Sequence, residues 1–95
     1  MKFVGSVEIE EEVDLQLDEL IKDMKEIVLF DDDYNTFDFV IQSLIEVCKH
    51  NVIQAEQCTF IVHYNGKCAV KRGEYEKLKP MCTALLDRGL TAEIQ

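Results

Sequence analysis

Residues 25–48 read KEIVLFDDDYNTFDFVIQSLIEVC, and the fold turns on where this stretch changes its period. KEIVLF (25–30) is a short run rich in branched apolar side chains, which predicts a strand buried on both faces or nearly so. From Phe37 onward, Val40, Ile41, Leu44, Ile45 and Cys48 recur at helical spacing, so a helix is expected from about Thr36 to Lys49. Asn35 is placed to offer a side-chain oxygen to the first free amides of that helix, with Asp38 three residues on as a variant of the capping box. Between strand and helix stand Asp31, Asp32 and Asp33, and the question is what three adjacent carboxylates hold.

Downstream, His50 and Asn51 form a tight break. A second helix is expected from about Val52 to Tyr64, with Ala55, Cys58, Ile61 and Val62 facing inward and Gly66 supplying the left-handed residue that ends it. KCAVKR (67–72) alternates and reads as a strand closed by Gly73. Tyr75, Leu78, Met81, Cys82, Leu85 and Leu86 then repeat at three and four, a third helix running to Gly89. Pro80 lies within it, and an interior proline costs about 3 kcal/mol, so either the first turn is separate or the helix is kinked. LTAEI (90–94) is the last strand. Strand, helix, helix, strand, helix, strand predicts an α+β domain: a two-layer sandwich with a three-stranded, mostly antiparallel sheet and three helices on one face. Upstream, VEIEEEVDLQLDE (7–19) has sparse apolar positions, so residues 1–23 are expected to be a flexible acidic arm with a short helix near Leu17 to Met24, and residues 24–95 the folded unit.

Ninety-five residues make one small domain. Lys and Arg total 10 against 19 Asp and Glu, and the net charge of −9 argues against a nucleic-acid backbone or an anionic membrane as partner while leaving cationic partners open. No apolar run approaches the roughly 18 to 20 residues of a bilayer span, and the N-terminus lacks a charged head followed by an apolar block, so a cytoplasmic location is expected. Cys48, Cys58, Cys68 and Cys82 are spread singly through apolar surroundings with no C-x-x-C pair, which predicts reduced thiols and no bound metal or cofactor.

Three chemistries can be weighed for the aspartates. A calcium loop needs oxygens at positions 1, 3 and 5, a glycine at 6 and a glutamate at 12; Asp31, Asp33 and Asn35 fit the first three, but Thr36 and Gln42 occupy the other two. Cys–His nucleophilic chemistry needs a thiolate beside an imidazole, whereas only His50 and His63 are present and the cysteines lie on apolar faces. Paired hydrolytic carboxylates need a cleft with two supporting walls, which one small core rarely builds. The chain reads as a binding module and not as an enzyme.

The strand followed by DDDYNTFDFV, and then the helix pair ending in VHYNGKCAV, resembles the ClpS family, adaptors of the Clp protease that recognise N-terminal residues of degradation substrates. The family pattern is a strand, then N-D-D-x-T-P-M-E-F-V, and some twenty residues later V-H-x-x-G; the likeness spans about residues 25–95. It implies that Asp31, Asp32 and His63 bind the substrate's α-amino group, a small cation whose three donors need acceptors when buried. It implies further that Asp33 braces the loop, that Asn35 binds substrate backbone or caps the helix, and that Phe37, Val40, Thr59 and Val62, with the last strand near Leu90 to Ala92, form an apolar pocket for Leu, Phe, Tyr or Trp. Partners implied are substrate proteins with such N-termini and the N-terminal domain of the Clp unfoldase, with Glu76 at a contact position.

Several residues depart from the family pattern. Asp31 replaces an asparagine and crowds three carboxylates, which should raise one of their pKa values. Phe37 stands at the gating methionine, Thr59 at a second pocket methionine, Thr36 at the proline, and Met81 at a lysine expected five residues after Glu76. The same layer arrangement also occurs in the C-terminal domain of the ribosomal stalk protein, a protein-interaction module that captures no N-terminal residue. Such a domain has no need of an amine cage, and its factor-binding helix is usually lysine-rich, which is not seen here.

Overall fold

The computed structural model describes residues 23–95; the expected acidic arm lies outside these residues, apart from Asp23. The elements are β1 (Met24–Phe30), α1 (Phe37–Cys48), α2 (Val52–Asn65), β2 (Lys67–Glu74), α3 (Tyr75–Asp87) and β3 (Thr91–Ile94). They form an α+β fold with one three-stranded sheet in the order β2-β1-β3, and both strand pairs are antiparallel. The central strand is β1, which explains its continuous apolar run: Ile27 and Leu29 are buried in the core against Leu44, Leu78 and Leu85, while Val28 is buried beside its register partners Ala69 and Glu93. No helix among the described residues is long and apolar enough to cross a membrane.

Several boundaries differ from the sequence-based expectation for identifiable reasons. The cap of α1 is Thr36, not Asn35: Thr36 is extended and its Oγ1 accepts from the Phe39 amide at 3.1 Å. The Asn35–Asp38 capping box therefore does not form: Thr36 holds the capping position, and Asn35 is turned so that its Nδ2 donates to Asp32 and to the Gly89 carbonyl. On α2 the buried stripe is Ala55, Thr59 and Val62, at steps of four and three. Ile61 lies one residue, about 100°, behind Val62 and is left 41% exposed, contrary to its expected inward position. Strand β2 continues through Gly73, which pairs with Lys25, and runs to Glu74 before turning directly into α3. Helix α3 is a single helix from Tyr75 with Pro80 as its sixth residue, so the first turn is not separate.

His50 is more than a break between helices. The pairing shifts between Ile27, opposite Lys71, and Val28, opposite Ala69, so Val70 is the extra residue of a bulge in β2. Its carbonyl, freed from the ladder, accepts the Nε2 proton of buried His50 at 2.6 Å, tying the α1–α2 corner to the sheet. Asn51 then caps α2 by accepting from the Gln54 amide at 2.7 Å.

Candidate functional site

The acidic loop leaves the C-terminal end of the central strand and is anchored at two glycine turns. The Asp31 amide donates to the Gly66 carbonyl at 2.8 Å, and Asn35 Nδ2 donates to the Gly89 carbonyl at 3.0 Å. Both glycines have positive φ, 91° and 88°, a conformation that side chains disfavour. Gly66 ends α2 three residues after His63, so its turn brings the start of the acidic loop beside the histidine.

Within the loop the bracing carboxylate is Asp32 and not Asp33. Asp32 Oδ1 accepts from the Tyr34 amide at 2.9 Å and the Asn35 amide at 2.7 Å, and Oδ2 accepts from Asn35 Nδ2 at 3.0 Å. An Asx-type turn of this kind is available to any aspartate two or three residues ahead of free amides, and Asp32 has the spacing. Partial burial pushes the Asp32 carboxyl up, but the hydrogen bonds from Asn35 and Tyr34 outweigh it and leave the group below its ordinary range. The upward shift expected from crowding is thus not seen at Asp32. Asp31 and Asp33 are exposed, and among the described residues neither carboxylate accepts a hydrogen bond from the protein.

A pocket of about 320 Å³ opens beside this loop. The residues expected to bind the amine (Asp31, Asp32 and His63) and the side chain (Phe37, Val40, Thr59 and Val62) all line it, as do Asp33 and Asn35, expected to brace the loop and to bind substrate backbone or cap the helix. Its walls come from the first turn of α1, the C-terminal half of α2 and the end of β1. Thr59 and Val62 are buried, and the Thr59 hydroxyl is satisfied internally by donating to the Ala55 carbonyl at 2.7 Å, so the interior is apolar in character. The mouth carries the acidic loop and the exposed His63. Leu29, Phe30, Thr36 and Leu90 also line the pocket. Leu90 belongs to the last-strand neighbourhood that the resemblance implies, and the other three have no counterpart among the expected pocket residues. Leu29 and Phe30 are the two strand residues immediately before Asp31, and a pocket built around a strand-exit loop takes its floor from them. Glu76 lies apart, exposed in the first turn of α3 and lining no part of the pocket.

An apolar recess with a carboxylate-rich mouth suits a ligand that joins a cation to an apolar side chain. The family model described as "ATP-dependent Clp protease adaptor protein ClpS" matches residues 21–93, which include the whole pocket. The chain belongs to the ClpS family. A curated ClpS, the ATP-dependent Clp protease adapter protein of Salmonella gallinarum, is 34% identical over 68% of this chain and 73% of its own length. Among solved structures, Agrobacterium tumefaciens ClpS2, bound there to L-phenylalaninamide, superposes with a TM-score of 0.74 at 19% identity, covering 77% of this chain and 95% of that one. That likeness shows the fold. ClpS is an adaptor of the ATP-dependent Clp protease, and the chain is accordingly an adaptor of that protease rather than a ribosomal stalk domain.

The cysteines of this ClpS protein are free thiols, and no cluster among the described residues could hold a metal. Burial pushes the Cys48 thiol up to about 11; burial, then the neighbouring Cys68 and Cys48, push Cys58 up to about 12; burial also raises Cys82. Iodoacetamide at pH 8 is therefore expected to leave these three unlabelled in the native protein and to label them in urea, as mass spectrometry would read. Native labelling of Cys58 at the rate of a free thiol would contradict the packing. The unfolded thiols ionise near pH 9. Their folded counterparts ionise higher, so stability falls as pH rises from about 9 toward 12.

Proposed function

We propose that the pocket captures the free N-terminal residue of substrate proteins, when that residue has a large apolar side chain, and that the protein delivers them to the Clp ATPase for degradation. The observation that carries this reading is the convergence of three carboxylates and one histidine on the mouth of a single apolar recess. The A. tumefaciens ClpS2 structure, bound to L-phenylalaninamide, supports it: that compound places a free α-amino group beside an aromatic side chain.

An α-ammonium brings one positive charge and three donors. The Asp31 carboxylate is uncommitted and supplies charge and acceptors. Asp32 keeps about one of its four lone-pair positions free after its three internal hydrogen bonds. A ring nitrogen of His63 completes the set, and Asp33 adds charge at the mouth. Asn35 uses its amide nitrogen internally, which leaves its carbonyl oxygen for the first backbone amide of the substrate. Phe37, Val40, Thr59 and Val62 surround the side chain, whose burial is worth roughly 1.5 to 3 kcal/mol for a leucine or phenylalanine. The protein acts by binding alone. We assign the contact with the N-terminal domain of the unfoldase to the surface around Glu76, on the strength of its exposure and of the family resemblance.

Fluorescence anisotropy with a labelled peptide beginning with leucine or phenylalanine, against its N-acetylated copy, tests the reading. Tight binding of the free amine and loss of binding on acetylation is the expected result. Equal binding of both peptides would reduce the site to an apolar groove, and binding of neither would remove the N-terminal residue as its ligand.

A further inference from the structure

The histidine at the pocket mouth is held by carbon, not by hydrogen bonds. Among the described residues neither ring nitrogen of His63 bonds to the protein, although an exposed side chain left without partners samples many rotamers. Its neighbours are two aromatic rings, both edge-on: Phe37 with centroids 4.9 Å apart at 73°, and Tyr64 at 5.0 Å and 79°. Phe37 is packed in turn against Phe60 at 5.4 Å and 80°, and Phe60 is stacked on Tyr64 at 6.3 Å and 9°. The four contacts close into a circuit, Phe37–His63–Tyr64–Phe60. Helical spacing explains half of it, because positions 60, 63 and 64 share one face of α2. The other half is the first residue of α1, brought across by the packing of α1 on α2.

These rings are not core. Tyr64 is 76% exposed and Phe60 49%, so burial of apolar surface does not account for their placement. What the circuit does accomplish is to restrict the imidazole plane while leaving both nitrogens open to a ligand. We propose that Tyr64, supported by Phe60, is a positioning residue for His63, fixing the imidazole whose ring nitrogen accepts a hydrogen bond from the substrate's α-amino group. Phe37 has a double role, since it lines the pocket and also forms the other side of the brace. Filling the pocket and orienting the histidine thus share one ring. The proposal rests on the amine-binding reading above for its purpose, though not for its geometry.

The test uses the full chain, with Tyr64→Leu and Tyr64→Phe compared in two ways. By NMR of the ligand-free protein, the carbon-bound ring protons of His63 are expected to show ring-current shifts that fall in Tyr64→Leu to the share contributed by Phe37 and persist in Tyr64→Phe, because among the described residues the Tyr64 hydroxyl makes no hydrogen bond. In peptide titrations Tyr64→Leu is expected to weaken binding of a free-amine phenylalanine peptide by about 2- to 10-fold, the range of one aromatic pair, while Tyr64→Phe keeps wild-type affinity. In a His63→Ala background the Tyr64→Leu step should have no further effect. Unchanged His63 resonances in Tyr64→Leu would overturn the brace. An equal loss with and without His63 would also overturn it, since the Tyr64 ring would then be touching the peptide directly. Failure of the wild-type protein to bind the free amine would instead remove the amine-binding reading, with the NMR comparison still deciding whether the brace exists. Phe60→Leu should produce the same His63 shift changes in weaker form.

Discussion

Asp31→Lys is expected to weaken capture of a peptide beginning with leucine or phenylalanine by roughly 100-fold or more, with an unchanged melting transition. Asp31 is the pocket carboxylate best placed for a clean substitution. Its side chain is exposed and uncommitted, and its structural contribution is the backbone amide bond to Gly66, which any residue but proline supplies. Replacing the carboxylate by an ammonium turns an attraction into a repulsion at the point where the substrate's own ammonium would sit. Two unit charges about 4 Å apart interact by about 4 kcal/mol at an effective dielectric of about 20, so even a strongly screened reversal exceeds two powers of ten. Asp87→Lys is the control: it changes the net charge of −9 by the same amount from an exposed site at the end of α3, outside the pocket. Similar losses in both variants would show that the peptide senses only the overall field. Asp32→Ala is a poorer test, since it also removes three hydrogen bonds that shape the loop, and a lost affinity there would not separate amine contact from loop order.

Much of the fold is legible in the sequence because each element carries one dominant period. Ile27, Val28 and Leu29 can only be a buried strand of that length, and Phe37 to Cys48 can only present its apolar positions as one helical face. Gly66 marks the end of α2 because the chain needs positive φ there. Structure and sequence-based expectation differ where neighbouring residues have equal chemical entitlement. Asn35 and Thr36 are both good helix caps, and Asp32 and Asp33 are both competent to close a turn; the winner in each pair is set by spacing to within a single residue, finer than periodicity resolves. The bulge at Val70 and its bond to His50 depend on a register shift between strands far apart in the chain, and no local pattern announces that. For the site, the acidic string stands out by residue type, whereas His63 and the pocket positions follow from the family resemblance; the aromatic circuit has no local sequence signal, because Phe37 meets Phe60 and His63 only after α1 packs on α2.

Leu29 joins fold and site, and Leu29→Ala is expected to lose about 2 to 5 kcal/mol of stability. The side chain is 1% exposed at the middle of the sheet, between register partners Cys68 and Ala92, and it also lines the pocket. A small domain has a total stability of roughly 5 to 10 kcal/mol, so the variant should unfold at a urea concentration lower by about 2 M. Leu44→Ala, fully buried but outside the pocket, should destabilise comparably, and the two differ in what the lost volume joins. The void left at Leu44 is sealed within the core. The one left at Leu29 merges with the pocket, so a peptide beginning with tryptophan can occupy it and should gain affinity relative to one beginning with leucine. In Leu44→Ala that ranking should stay as in the wild type. A shift of ranking in both variants, or in neither, would mean that Leu29 does not form the pocket floor. A loss below about 1 kcal/mol for Leu29→Ala would contradict its place at the centre of the sheet.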